Sequence, residues 1–234
     1  FMAHWDHLGF MDGANQDEDK IANGAVDNAT GVAAVLEFAK RFSEIETDRS
    51  IMFLAVTLEE SGLLGSEYFA KYPPIDLSNI VAGFNYDAIL PTGLTNDMVV
   101  VGYGASELED LLEDELSKSG RYINPDPNPD KGYFYRSDHI SFAKRGVPVL
   151  YADGGFDLVD GGKEAGFILE EQYRLDAYHG VADEYDESWN LDGLNQSIDV
   201  IFNISNELAN NSQWPNWYEG NEFRSVRDLS RSGK

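Results

Sequence analysis

The chain has 234 residues, with 17 Lys and Arg against 42 Asp and Glu, a net charge of −25, and no cysteine. That balance excludes a phosphate-backbone partner, which needs clustered cations, and the missing cysteines exclude disulfides, a thiol nucleophile and thiolate-bound metals. No apolar stretch approaches the roughly 18 residues of a membrane span, while 42% hydrophobic content suits a globular chain of one or two domains.

The chain opens at Phe1 directly on a dense polar motif, so a further segment is expected before it. In 29–42, apolar residues at Val32, Val35, Leu36, Ala39 and Phe42 follow a helical period. The continuous apolar run 50–58 (SIMFLAVTL) predicts a strand buried on both faces. Residues 63–72 predict a helix that stops at Pro73-Pro74. Strands are expected over 79–86 and 98–101. A helix follows over 106–119, with Leu108, Leu111, Leu112 and Leu116 inward and Gly120 ending it. Residues 124–132 (NPDPNPDKG) predict a rigid polar loop, 147–151 a buried strand, 153–166 a Gly/Asp-rich loop and 194–210 an amphipathic helix. Strands alternating with helices predict a three-layer α/β domain. Residues 213–234 form a C-terminal tail with two Trp and several Arg, which reads as a surface strap.

Four polar clusters fall at strand ends or in the loops that follow, where open α/β sheets place ligand sites. In His4-Trp5-Asp6-His7, the Asp can hold one imidazole nitrogen while the other binds a metal. Asp27-Asn28 precedes a strong helix, and capping alone accounts for it. Glu59-Glu60 ends the most apolar strand. Charge there is costly unless paired, and one Glu can ligate while its neighbour takes a proton from water. Asp87 closes another strand, and His179 lies in a late loop. Two His and three carboxylates so placed are a ligand set for paired divalent ions. Without thiolates, zinc leads, with cobalt or manganese fitting similarly.

The stretches AHWDHLG, NGAVDNATGVAAVLE, TLEESGLLGSEYF, FNYDAI, YRSDHISFAKRGVPVL and YHGVADEYD run from Ala3 to Asp186. In that order they resemble the di-zinc aminopeptidases, a family that includes bacterial leucyl aminopeptidases and is related to glutamate carboxypeptidase and glutaminyl cyclase. The resemblance implies an α/β/α sandwich with a central mixed, mainly parallel sheet over 1–212 and two zinc ions per chain. It implies that His4 and Asp87 bind one zinc, that Glu60 and His179 bind the other, and that Asp27 bridges them through a cis Asp27–Asn28 bond. It makes Asp6 the group that orients His4 and Glu59 the general base acting on a metal-bound water. Tyr178 becomes an oxyanion donor, Arg136 a contact to substrate backbone and Asp138 a supporting substrate-site residue. His7 and His139 are not ligands by this match and read as structural.

The implied activity is removal of N-terminal residues from peptides, by an exported, periplasmic or secreted enzyme. A carboxypeptidase-type member and a glutaminyl-cyclase-like acyltransferase are rival enzymes. A binding module that has lost its metals is the rival of another class, although His4, Asp27, Glu59, Glu60, Asp87 and His179 are all retained. The acidity reads as a solvated surface that keeps an exported protein soluble. Adaptation to salt, or structural calcium in the Asp/Gly loops, are the alternatives.

Overall fold

A computed structural model describes residues 1–11 and 19–233. Six strands form the central sheet, in the order β4-β1-β5-β8-β6-β7. They are β1 (Met2–His4), β4 (Leu54–Val56), β5 (Gly83–Asn85), β6 (Asp97–Val100), β7 (Tyr122–Pro125) and β8 (Val149–Asp153). All neighbouring pairs are parallel except β6 with β8. β2 (Gly9–Phe10) and β3 (Ile21–Ala22) make a separate antiparallel pair.

Helices cover both faces. On one, α1 (Gly31–Ser43), α3 (Leu108–Ser117) and α6 (Asp192–Ala209) bury Phe38, Leu112 and Ile201 against Phe84, Met98 and Leu150 of the sheet. On the other, α2 (Leu64–Lys71) and α4 (His139–Ala143) pack Phe69 and Phe142 against Met2 and Val149. This is the expected three-layer mixed, mainly parallel architecture. Fully burying one such side chain contributes about 1.5–3 kcal/mol, so each face is held by many comparable increments.

Several expectations need correction. The run 50–58 is not a long strand buried on both faces. Only Leu54–Val56 pairs, β4 is the edge of the sheet, and Ala55 is exposed. Its apolar residues Ile51 and Phe53 instead pack sideways onto the main core. The loop expected over 153–166 gives way at Gly162 to α5 (Gly162–Asp176), and the loop expected from 124 opens inside β7. The tail beyond 212 is a strap with a buried anchor. Trp217 is fully buried beside Ile140 and Ala143, and its Nε1 donates to the Gly146 carbonyl at 3.1 Å. Arg227, in α7 (Arg224–Arg231), donates to the carbonyls of Ile80 and Val81.

Candidate metal centre

The carboxyl ends of β1, β4, β5 and β8 converge on one region, as expected of a largely parallel sheet. β1 ends at His4. Its Nδ1 donates to the main-chain carbonyl of Asp6 at 2.9 Å, which leaves Nε2 facing Asp87 Oδ1 at 3.1 Å and Asp27 Oδ1 at 3.2 Å. Holding a ring by a carbonyl in this way fixes which nitrogen is free to ligate. Asp6, expected to orient this ring, touches it through its main chain and, more distantly, its carboxylate. The carboxylate of Asp6 stands 3.8 Å from Nδ1 and also accepts from the Glu59 main-chain N–H at 3.2 Å.

The other oxygen of Asp27, Oδ2, faces His179 Nε2 at 3.3 Å, and that nitrogen lies 3.3 Å from Glu60 Oε2. The structure therefore brings together all five residues expected to ligate. Asp27 presents one oxygen to each histidine. His7, expected to be structural, lies here too: Nδ1 is 2.8 Å from Glu60 Oε1, and its ring centroid is 5.8 Å from that of His179. Two groups of three fit a cation within a 4.8 Å span, His4–Asp27–Asp87 and His7–Asp27–Glu60. Neither draws on the Asp/Gly loop 153–166.

The residues fit a metal on their own chemistry. His7 Nε2 is buried without a hydrogen bond among the described residues, and His7 Nδ1 and Glu60 Oε1, also buried, face only each other. Such orphaned groups cost free energy unless something binds them. Imidazole and carboxylate donors suit zinc and other divalent ions. With protein groups alone, protons must replace that positive charge. Burial disfavours a charged His4, yet hydrogen bonds to Asp27 and Asp87 raise its pKa to about 12. Burial likewise pushes the Asp27 carboxyl up, but His179 and His4 win and hold it well below the carboxylate range.

Glu59 has the opposite fate. Burial, then the charge of Asp87, with Asp138 and Glu60 adding to it, raise its pKa to about 9. Tyr178 stacks on the His179 ring at 3.9 Å, and burial, then the Asp27 charge, push its hydroxyl above the ordinary value. Glu59, Arg136 and Tyr178 line a cavity of about 530 Å³ that opens onto Asp27, Glu60, Asp87 and His179. Asp138 does not line it. Its side chain is buried, and desolvation raises its pKa to about 6. Ser137 takes the position at the wall, donating to Asp87 Oδ2 at 2.6 Å and accepting from Asn85 Nδ2 at 2.8 Å.

The loop carrying Asp27 is held from several sides. The expected cis bond joins Asp27 to Asn28. Gly24 precedes it at φ 67, where a Cβ would sit 2.2 Å from the Asp27 carbonyl and 2.6 Å from His7, so only glycine fits. Asn28 accepts from the Gly31 N–H, acting as the cap its position suggested, and donates to the Tyr86 carbonyl. The buried Asp183 carboxylate accepts from the N–H groups of Val26 at 2.8 Å and Asp27 at 3.0 Å. Sequence reasoning missed that brace, though the stretch YHGVADEYD contains it. Among the described residues, the four non-glycine positions with left-handed φ are Leu58, Leu63, Ala88 and His179. Each is in the cavity wall or beside Glu59, and such backbone costs of order 1–3 kcal/mol per residue.

An α/β sandwich with paired imidazole–carboxylate groups on one bridging acid describes a class of metal-dependent hydrolase. The chain belongs to peptidase family M28, whose sequence pattern matches residues 1–205. It is 26% identical over 190 residues to leucine aminopeptidase 2 of Trichophyton equinum, covering 74% of this chain and 36% of that protein. A zinc aminopeptidase from Bacillus subtilis superposes with a TM-score of 0.64 at 21% identity, over 94% of this chain and 48% of that one. A Bacteroides thetaiotaomicron glutaminyl cyclase superposes with 0.57 at 16% identity, over 91% of this chain and 72% of that one. At such identities these two superpositions establish the fold. The chain spans about a third of the curated relative's length. No described helix is long and apolar enough to cross a membrane.

Proposed function

We propose that this chain carries the catalytic centre of a zinc-dependent aminopeptidase that removes N-terminal residues from peptides. The observation that carries this reading is Asp27, with one carboxylate oxygen 3.2 Å from His4 and the other 3.3 Å from His179. His4, Asp27 and Asp87 would hold one zinc. Asp27, Glu60 and His179 would hold the second, with His7 positioned to join or replace His179. Bound zinc supplies Lewis acidity towards a carbonyl and lowers the pKa of water.

The chain's own residues supply the rest. Glu59 faces the cavity and is the acid–base group. Its pKa of about 9 without cations falls once positive charge occupies the neighbouring ligands, which leaves a carboxylate able to accept a proton from water and return it to the leaving amine. Tyr178 keeps its proton at neutral pH because burial and nearby acids raise its pKa, so it can donate to a developing oxyanion. Arg136 lies in the cavity wall, where it can contact substrate backbone. The acidic lining suits a free α-ammonium, which favours the aminopeptidase over the carboxypeptidase reading. Export to the periplasm or beyond accompanies this reading, by resemblance.

The test combines metal analysis with turnover. Two zinc equivalents per chain are expected, with leucine p-nitroanilide hydrolysed, hydrolysis abolished by chelation and restored by zinc. Glu59→Gln should keep the metal and lose roughly 10²–10⁴-fold in kcat. One tightly bound zinc without hydrolysis points to cyclase chemistry. Preferential cleavage of a C-terminal glutamate dipeptide points to a carboxypeptidase. Full metal without turnover on any substrate points to a binding module.

A further inference from the structure

The cavity that opens onto the ligand cluster is also lined by residues outside the ligand set. β6 and β8 are antiparallel neighbours with Val99 directly opposite Asp153. Because alternate residues share a face, Val99, Val101, Tyr151 and Asp153 together line one wall of the cavity. Phe156, and Gly166 and Glu170 of α5, close it from the side, and Asp126 from the loop after β7. This part of the lining thus combines apolar side chains with acidic ones.

Asp153 is the unusual member. Its Oδ1 is buried and has no hydrogen-bond partner among the described residues. Burial, then the charges of Asp87 and Asp126, push its carboxyl well above the ordinary value, and no cation is among the causes. Of the two guanidinium groups lining this cavity, Arg136 and Arg174, neither forms an ion pair with Asp153, and Arg174 is turned to Glu171, with Nη2 3.4 Å from Oε1. A buried acid without a donor is costly in a finished site and is retained most simply where a ligand supplies the donor. A long aliphatic stem ending in a cation matches both parts of this surface, since such side chains lay their methylenes on apolar walls and keep the charge at the tip.

We propose that this wall of the cavity, built on β6 and β8, is the subsite for the substrate's first side chain, and that Asp153 makes it select lysine or arginine. The assignment rests on the aminopeptidase reading above. The acidic surface, with a net charge of −25, would also concentrate cationic peptides around the molecule.

The experiment compares p-nitroanilides of lysine and norleucine, which share a stem and differ in the ε-ammonium. Calorimetric binding of the two free amino acids to the zinc-loaded protein is measured alongside. Wild type should favour lysine by roughly tenfold or more in kcat/KM, as expected when a buried acid is left unpaired by the analogue. Asp153→Asn should collapse the lysine-to-norleucine ratio in both kcat/KM and Kd. Glu170→Gln, a more exposed change, should lower the ratio less and guards against a folding artefact at Asp153. A wild-type preference for norleucine, or a ratio untouched by Asp153→Asn, overturns the inference while leaving the aminopeptidase reading in place. An equal loss on both substrates also overturns it, by assigning Asp153 to the α-ammonium. Hydrolysis of neither anilide, with zinc bound, removes the aminopeptidase reading and this subsite with it.

Discussion

His139 follows Asp138 in sequence but does a different job. Its ring lies 4.8 Å from Phe134 and 5.0 Å from Tyr151, fully buried, with neither nitrogen hydrogen-bonded by its side chain's neighbours to an acid. Burial lowers its pKa from 6.5 to about 3. Between those values the unfolded chain binds a proton that the folded one refuses. The contribution of His139 is therefore complete above pH 6.5 and falls as pH drops towards 3, by about 1.4 kcal/mol per pH unit. His139→Leu should flatten the acid limb of stability by that slope, read from urea unfolding at pH 4, 5 and 6. Equal slopes in the two proteins would exclude this titration. The contrast with His4 shows what was readable residue by residue. His4, Glu60 and Asp87 stood out as polar groups closing apolar strands, whereas Asp27, ahead of a helix, and His179, in a late loop, gained meaning only when the clusters were read together. His7 and Asp153 did not, because their significance lies in an unmade hydrogen bond, which is a property of the packed interior.

At the scale of elements, the loop and turn 24–30 matters more than any regular strand or helix, because it places Asp27 between His4 and His179. Its brace is Asp183, whose carboxylate accepts two main-chain N–H groups and the Tyr173 hydroxyl, the last at 3.2 Å. Hydrogen bonds to a charged acceptor contribute about 1.5–3 kcal/mol. Asp183→Asn keeps the volume but loses the charge and one acceptor. It should lower zinc affinity about 10–100-fold, measured by chelator competition, because residues that orient ligands typically carry that much. Unchanged affinity would show that Asn28 and the surrounding packing suffice. The sequence revealed helices α1, α3 and α6 through their apolar periodicity, and failed at β4 and α5 for physical reasons. An apolar run carries no record of whether neighbours will pair with it, so an edge segment that packs sideways resembles a central strand. α5 starts in a glycine pair, Gly161-Gly162, whose left-handed backbone reads as loop, and only Gly166 of the helix is buried. Its amphipathic signal was too weak to overcome that start.

Across the whole molecule, charge sets a balance between two environments with different screening. Residues 106–119 carry six acids and one Lys, and 153–192 carry twelve acids against Lys163 and Arg174. Most of these are exposed. The site acids Asp27, Glu59, Glu60 and Asp87 are instead mostly withdrawn from solvent. Salt shortens the Debye length from about 10 Å at 0.1 M to about 3 Å at 1 M, which screens surface repulsion strongly and buried repulsion little. Two separable effects should follow. Raising NaCl from 0.1 to 1 M should raise the Tm, because repulsion among exposed acids is relieved. Chelation should lower the Tm at every salt concentration, because only a cation within the ligand cluster offsets the repulsion there, and a ligand bound to the folded state alone stabilises it by mass action. The decrement on chelation should therefore be nearly the same at 0.1 and 1 M NaCl. A scanning-calorimetry matrix of salt against chelator reads both. A flat or falling Tm with salt would leave the acidic surface with a role in solubility alone, and a chelation decrement erased by salt would mean that the site acids are hydrated and behave as surface charges.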